Sequence, residues 1–255
     1  MSRRPKNAMN VDSPNPVLSV LADRENDACW SCGEMRAAQF CKSCGKVQPA
    51  RPVDFFAFFG LPKKLNLDVA KLERDFYLLS RKLHPDVYAQ AREEEREWSL
   101  EQSSRLNDAY RTLKDPIKRT QYLLHLEGIE LEEQSKNATE RARATGELKQ
   151  QVVPPELLEE VFELNMQLEE ARTNKKMGEN DAALAEEIQK QKQNFETKLA
   201  ALSSELGSYW TDWDAALNTD SEIARIQARD KMVDLLNRRN YIKNLVRDVN
   251  EVLEN

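Results

Sequence analysis

The sequence predicts an all-α protein, and two observations support this fold class. Only seven of the 255 residues are glycine, while leucine, glutamate, lysine, glutamine and alanine, which favour helices, occur throughout the chain. Apolar residues recur at spacings of three and four in several segments, as on one face of a helix. The longest apolar runs, such as Phe55–Phe59, are far shorter than the ~20 residues that cross a bilayer. We therefore expect helices that pack on one another, with no membrane partner.

The charge balance limits the classes of partner. The chain carries 38 lysines and arginines against 44 aspartates and glutamates, a net charge of −6. Nucleic-acid binding needs a clustered basic surface. Here the charges are interspersed, as in the run Arg92–Glu97, which is typical of a solvated helix face. We therefore expect no nucleic-acid partner.

Residues 1–28 form the first predicted segment. Three basic residues, Arg3, Arg4 and Lys6, precede the first acidic residue, Asp12, and no apolar core of a secretory signal follows. A mitochondrial transit peptide and a plain disordered terminus fit this composition equally well. We therefore predict a disordered or targeting segment.

All four cysteines lie in the next segment, residues 29–48. They form two CxxC pairs, each followed by a glycine, Gly33 or Gly45, that permits a tight turn. Such pairs bring four thiolates to the corners of a tetrahedron, the geometry of structural Zn²⁺ sites. A redox pair would need a βαβ context, and disulfides would need an oxidising compartment. We predict a small zinc ribbon with a structural Zn²⁺ held by Cys29, Cys32, Cys41 and Cys44.

A helical domain begins at Val53, after Pro49 and Pro52. Because Pro85 excludes His84 from the α region, one helix must end there. The short loop that follows joins two amphipathic helices, which predicts an antiparallel hairpin. The predicted helices are Asp54–Gly60, a segment from Val69 to Leu83, a segment from Arg92 to Lys114 and a segment from Ile117 to Leu126.

Two motifs in this region carry a family resemblance. His84-Pro85-Asp86 between the two hairpin helices, with Asn107-x-Ala109-Tyr110-x-x-Leu113 ending the second, resembles a J domain, here residues 53–128. The tripeptide alone fits an acid–base pair or ordinary turn chemistry as well. The resemblance implies that the loop and the exposed face of the preceding helix dock on a DnaK-class heat-shock chaperone and stimulate its ATPase. The predicted docking residues are His84, Pro85, Asp86, Lys71, Arg74, Arg81 and Lys82; the alternative for each cation is an ordinary solubilising charge.

The segment after the hairpin narrows the resemblance. Residues 116–131 contain Pro116, Arg119 and Tyr122-Leu-Leu-x-Leu-x-Gly128, a run similar to that of the HscB family. Membership implies a non-enzymatic co-chaperone that delivers an iron–sulfur cluster scaffold protein of the IscU/ISU type to the chaperone. A cysteine module ahead of the J domain resembles the eukaryotic members, which implies the mitochondrial matrix, with the cytoplasm as the alternative. A homodimer is left open.

The remaining chain is predicted to hold a linker or insertion, 129–155, and a three-helix domain, 156–255. The expected helices begin near Leu157 and span Asp181–Leu206 and Glu222–Leu253. The family resemblance implies that the first of them, with one residue of the last, binds the scaffold protein. The matching residues are Leu157, Leu158, Phe162, Glu163, Glu170 and Tyr241. The alternative is that the apolar members are core.

Other function classes stay open at this point. One is a general J-domain co-chaperone with another client, and a second is a zinc-ribbon nucleic-acid-binding factor, which the acidic charge disfavours. The two histidines lie in unrelated contexts, and His, Cys and acidic residues do not cluster as in a catalytic site. We therefore expect no enzyme.

Overall fold

The computed structural model describes residues 28–34, 39–131, 154–179 and 181–254. Within these residues no strand forms and the regular structure is helical, with an isolated antiparallel bridge between Phe40 and Val47, so the predicted all-α class is confirmed. The targeting segment predicted for residues 1–28 lies outside them, except Ala28, and so does most of the predicted linker. The helices are α1 (Phe55–Phe58), α2 (Val69–Leu83), α3 (Glu93–Lys114), α4 (Pro116–Leu126), α5 (Leu158–Lys176), α6 (Ala182–Asn218) and α7 (Glu222–Glu254).

Aspartate side chains begin three of these helices. Asp54 accepts a hydrogen bond from the Ala57 amide at the start of α1. Asp115 accepts from two amides at the start of α4, and Asp181 does the same at the start of α6. Each carboxylate satisfies N–H groups that have no partner inside the helix, which explains why the helices start where they do.

The chain divides into two compact units. The first comprises Met1–Gly60 and Ala70–Arg111, of which 28–34, 39–60 and 70–111 are described. Its core joins Phe58, Leu83, Leu106 and Ala109 with Val47, which lies just after the second cysteine pair. The cysteine segment and the α2–α3 hairpin therefore share one hydrophobic core.

Contacts between α2 and α3 hold the hairpin together. The rings of Phe76 and Tyr110 stack with centroids 4.1 Å apart, and the Tyr110 hydroxyl donates to Glu73 at 2.9 Å. At the end of α2, Ser99 and Ser103 of α3 both donate to the Leu83 carbonyl, at 2.7 and 2.6 Å. These bonds fix the point at which α2 gives way to the loop.

The second unit comprises Leu61–Val69 and Thr112–Asn255, and contains the α5–α6–α7 bundle. The buried stripe of α5 is Val161, Leu164 and Leu168. An ion pair between Lys198 of α6 and Glu160 of α5, at 2.5 Å, crosses the edge of this packing. No helix in the described ranges is both long and apolar enough to span a membrane.

Helix α6 is longer than the sequence predicts. The expected end at Leu206 is wrong, since the helix continues to Asn218. Gly207, which follows the expected end, disfavours helix by ~1 kcal/mol relative to alanine. The next three turns bury Trp213, Asp214 and Ala216, and burial of a tryptophan side chain contributes more than that cost.

Candidate metal centre and docking surfaces

The four cysteine thiols converge on one point. Their Sγ atoms all lie within 4.8 Å of one another, with Cys29 and Cys44 3.6 Å apart and Cys32 and Cys41 also 3.6 Å apart. Four thiols in this arrangement can hold one metal ion.

The two cysteine pairs have the same local geometry. Each pair turns at a glycine with positive φ, 76° at Gly33 and 73° at Gly45. These glycine amides donate to the Cys29 and Cys41 carbonyls at 2.9 and 3.0 Å. The amide two residues after each first cysteine, Ser31 or Ser43, donates to that cysteine's sulfur at 3.4 Å. The paired turns aim all four sulfurs inward, and this donor set fits tetrahedral Zn²⁺.

The thiols also differ in their tendency to ionise. Burial opposes ionisation of Cys29, but hydrogen bonds from the Cys32 and Ser31 amides and from the Cys44 and Gln48 side chains lower its pKa to about 6. The Glu34 amide favours the Cys32 thiolate, but burial and the three other cysteines raise the pKa of Cys32 to about 12. Four thiols this close do not all ionise without a cation between them.

Polar contacts join the cysteine segment to α3. Lys46, next to the second pair, forms a 3.0 Å ion pair with the buried Glu95. Gln48 donates to the Cys29 sulfur at 3.3 Å, and its carbonyl accepts from Gln102 at 2.5 Å. Sequence reasoning missed the contacts with Glu95 and Gln102, because these partners lie 49 and 54 positions away along the chain.

Trp30, inside the first cysteine pair, contributes an aromatic contact to the same junction. Its indole N–H donates to the Val47 carbonyl at 2.7 Å. The ring lies 5.6 Å from that of Trp98, and the Arg92 guanidinium lies 4.1 Å from its centroid. The cysteine cluster is thereby built into the unit that carries the α2–α3 hairpin.

The His84-Pro85-Asp86 turn is exposed at the end of α2. His84 has extended backbone, with ψ 129°, as its position before proline requires. Its Nδ1 accepts from the Asp86 amide at 3.3 Å and lies 3.5 Å from the Asp86 carboxylate. The side chains of both residues are mostly open to solvent, which suits contact with another protein better than enclosed acid–base chemistry.

The predicted cations of α2 lie on its exposed face. Lys71, Arg74, Arg81 and Lys82 are all exposed, although Lys71 pairs with Asp75 at 2.7 Å and Lys82 lies 5.9 Å from the Phe40 ring. Sequence reasoning missed two apolar residues among them, Tyr77 and Leu78, which are 55% and 58% exposed. Their positions in the helical repeat fall outside the apolar stripe that is buried, and this spacing could have predicted from the sequence that they are exposed. The α2 surface comprises Lys71, Arg74, Tyr77, Leu78, Arg81 and Lys82.

A second exposed apolar surface lies on α5. Leu158, Phe162 and Met166, at successive spacings of four, are 54%, 69% and 60% exposed. Glu159, Glu163 and Glu170 on the same helix are exposed as well. These six residues form the α5 surface. Met166 was not among the predicted scaffold-binding residues, because the HscB resemblance implies an acidic residue at this position.

Two residues of the predicted scaffold-binding set lie in the core instead. Leu157 and Tyr241 are 3% and 8% exposed. Leu157 precedes α5 and lies in phase with the buried stripe of that helix. The pKa of Tyr241 is raised, mainly because the side chain is buried and also because of the charge of Asp248. The core alternative therefore holds for these two residues, while Leu158 and Phe162 lie at the surface.

The comparisons with known proteins agree with this geometry. Residues 54–122 match the DnaJ domain family. The chain is 30% identical over 177 residues to the iron–sulfur cluster co-chaperone protein HscB homolog of Arabidopsis thaliana, covering 69% of this chain and 64% of that protein. It is 33% identical to the co-chaperone protein HscB homolog of Bordetella avium, covering 58% of this chain and 79% of that one.

The crystal structure of human co-chaperone protein HscB has the same fold. It superposes with a TM-score of 0.58 at 23% identity, covering 88% of this chain and 97% of the human one. The match to the plant relative spans somewhat less than two thirds of that protein's own length. With the DnaJ match and identity over most of the bacterial relative, this chain belongs to the HscB family of J-domain co-chaperones.

Proposed function

We propose that this protein stimulates the ATPase of a DnaK-class chaperone and delivers an iron–sulfur cluster scaffold protein of the IscU/ISU type to it for cluster transfer. The observation that carries the proposal is the pair of exposed apolar surfaces of opposite charge, on α2 and on α5. The names of the relatives, which include iron–sulfur cluster co-chaperones, supply the client class. In this role the protein regulates a partner's hydrolysis and is not itself an enzyme.

The chaperone docks on the α2 surface and the adjoining turn. Arg74 and Arg81 supply positive charge beside Tyr77 and Leu78, so electrostatic attraction speeds the encounter and the apolar side chains supply contact area. His84 and Asp86 then meet the partner directly, because their polar groups face solvent. A modest surface of this kind suits a partner that must leave after each ATPase cycle.

The scaffold protein docks on the α5 surface. Leu158, Phe162 and Met166 would be covered by the partner, which removes exposed apolar area from water. The flanking acids, Glu163 and Glu170, favour a scaffold surface with basic residues at the rim. Leu157 and Tyr241 are buried, so they belong to the core and are not part of the docking surface.

Cys29, Cys32, Cys41 and Cys44 would hold Zn²⁺ as a structural ion. Zn²⁺ supplies four bonds that fix a segment too short to form its own core. The ordered segment then places Val47 in the core and Lys46 against Glu95. We also propose the mitochondrial matrix as the protein's location, on the resemblance of the cysteine module ahead of the J domain to the eukaryotic members of the family.

The proposal is tested by steady-state ATPase assays on a purified DnaK-class chaperone. The protein is titrated alone and with a purified IscU-type scaffold, and binding of the scaffold is measured separately by calorimetry. We expect stimulation by the protein alone, a further increase with scaffold, and direct binding of the scaffold. Stimulation without scaffold binding would indicate a co-chaperone for another client.

A further inference from the structure

Residues 40–47 pack against the end of α2, where that helix meets the exposed His-Pro-Asp turn. These residues, which we call the second cysteine turn, are closed by the antiparallel bridge between Phe40 and Val47. Val47 is fully buried in the same core as Leu83, the last residue of α2, and Phe40 packs on that core. The Nζ atom of Lys82 lies 5.9 Å from the centroid of the Phe40 ring. Because Lys82 belongs to the α2 surface, the second cysteine turn borders that surface.

Backbone hydrogen bonds fix the position of Lys42 within the second cysteine turn. The Cys41 amide donates to the Lys46 carbonyl at 2.9 Å, and the Gly45 amide donates to the Cys41 carbonyl at 3.0 Å. Lys42 lies inside the loop that these bonds close. It is two residues from Phe40, so the Cα atoms of Lys42 and Phe40 are within ~7 Å of each other. The backbone of Lys42 is therefore held close to the α2 surface.

The charge of the second cysteine turn has the same sign as that of the α2 surface. Residues 39–52 contain three basic residues and no acidic residue. The charge of Lys46 is offset by its ion pair with Glu95. Lys42 is exposed, and it has no ion-pair partner among the residues that the structure describes. A partner whose acidic groups are attracted to α2 is therefore attracted to Lys42 as well.

We propose that the second cysteine turn is a further contact for the chaperone, and that an acidic group of the DnaK-class partner faces Lys42. The proposal rests on the proposed function and extends its chaperone-docking surface beyond α2 and the His-Pro-Asp turn. Exposed charges across an interface speed the encounter and fix orientation, and each contributes modestly to affinity. Loss of the Lys42 charge should therefore raise the half-maximal concentration for ATPase stimulation, and should leave the maximal stimulation and the binding of scaffold unchanged.

The test compares Lys42→Glu with Lys190→Glu in the steady-state ATPase assay with a purified DnaK-class chaperone. Both variants reverse the charge of one exposed lysine, and Lys190 lies on α6, outside the α2 and α5 surfaces, so it is the matched control. We expect Lys42→Glu to raise the half-maximal concentration about fivefold at low salt, and by less at high salt because the charges are screened. Lys42→Arg keeps the charge and should behave as the wild type. Thermal unfolding checks that all three variants are folded.

Carbodiimide cross-linking of the wild-type protein gives a second measurement that needs no variant, because this reagent joins a lysine amine to a carboxylate in contact with it. We expect mass spectrometry to find Lys42 joined to an acidic residue of the chaperone. Equal effects of Lys42→Glu and Lys190→Glu would overturn the proposal, as would a complex that cross-links through Lys82 but not through Lys42. Normal stimulation with weakened scaffold binding by Lys42→Glu would assign the turn to the scaffold instead. Absence of stimulation by the wild-type protein would reject the proposed function, and this contact with it.

Discussion

The α2 and α5 surfaces are alike in apolar content and opposite in charge. Each exposes large apolar side chains on a helix whose other face is buried, Tyr77 and Leu78 on α2, and Leu158, Phe162 and Met166 on α5. Lysine and arginine surround the first set, and glutamate surrounds the second. Apolar area supplies contact energy in both cases, whereas the charge decides which partner is attracted and which is repelled.

The two surfaces also differ in what supports them. The α2 surface ends in a turn held by Ser99 and Ser103, in a unit whose core includes Val47 from the cysteine segment. The α5 surface lies on a bundle helix whose buried stripe is ordinary leucine and valine. We therefore expect perturbations at the candidate metal centre to act on the α2 surface and to spare the α5 surface.

The largest expected effect is a complete loss of chaperone stimulation with no change in scaffold binding. His84→Gln should abolish ATPase stimulation, because the turn loses the imidazole that contacts the partner, while scaffold binding measured by calorimetry stays unchanged. The control is His125→Gln, which replaces the other histidine of the chain, also exposed. Wild-type stimulation by His84→Gln would show that the turn is not the chaperone contact.

Removal of the metal centre should come next. Cys41→Ser/Cys44→Ser should destabilise the first unit by ~3 kcal/mol or more, since segments held by structural zinc unfold without the metal. Chaperone stimulation should fall with it at 37 °C, and scaffold affinity should hold. The control pair is Ser31→Ala/Ser43→Ala, which keeps all thiols and the backbone amides that donate to Cys29 and Cys41. Thermal unfolding with and without chelator measures the effect, and equal stability of the cysteine variant and the wild type would contradict it.

Substitutions on the α5 surface should have a smaller effect, and they should weaken scaffold binding instead of chaperone stimulation. Truncation of two central contacts at ~1–2 kcal/mol each should make Leu158→Ala/Phe162→Ala bind scaffold ~30–1,000-fold more weakly. Basal chaperone stimulation should persist. Ile223→Ala, which truncates an exposed apolar residue on α7, is the control. The α5 surface is misplaced if the double variant folds and retains scaffold affinity.

The smallest effect concerns charge alone. Arg74→Ala/Arg81→Ala should raise the half-maximal concentration for stimulation ~3-fold and flatten its salt dependence, since exposed charges contribute ~0.2–1 kcal/mol each. Lys175→Ala/Lys176→Ala, at the exposed end of α5, removes the same charge elsewhere. Titrations at low and high salt measure this. An equal effect of the two pairs would mean that net charge, and not the α2 surface, governs the encounter.

Periodicity and local motifs were sufficient to predict most of the helices and the thiol cluster. The phase of α5 decides which of two adjacent leucines is exposed, and it could be read only after the start of the helix was known: Leu157 is buried and Leu158 is not. On α2, only the charged residues were predicted to be docking residues, and the exposed Tyr77 was missed because aromatic residues are usually taken as core.

Contacts between distant residues could not be predicted at all. The bond between Trp213 and Lys63 joins positions 150 apart, and Asp214 meets Leu65 over a similar separation. Local patterns hold no information on such pairs. The ion pair between Lys46 and the buried Glu95 was missed for the same reason.

Single-turnover hydrolysis by a DnaK-class chaperone preloaded with ATP tests the central claim most directly. Addition of the wild-type protein should accelerate hydrolysis, and addition of an IscU-type scaffold should accelerate it further, with His84→Gln inactive in both conditions. An unchanged rate with the folded wild-type protein, at concentrations well above those of the chaperone, would contradict the account.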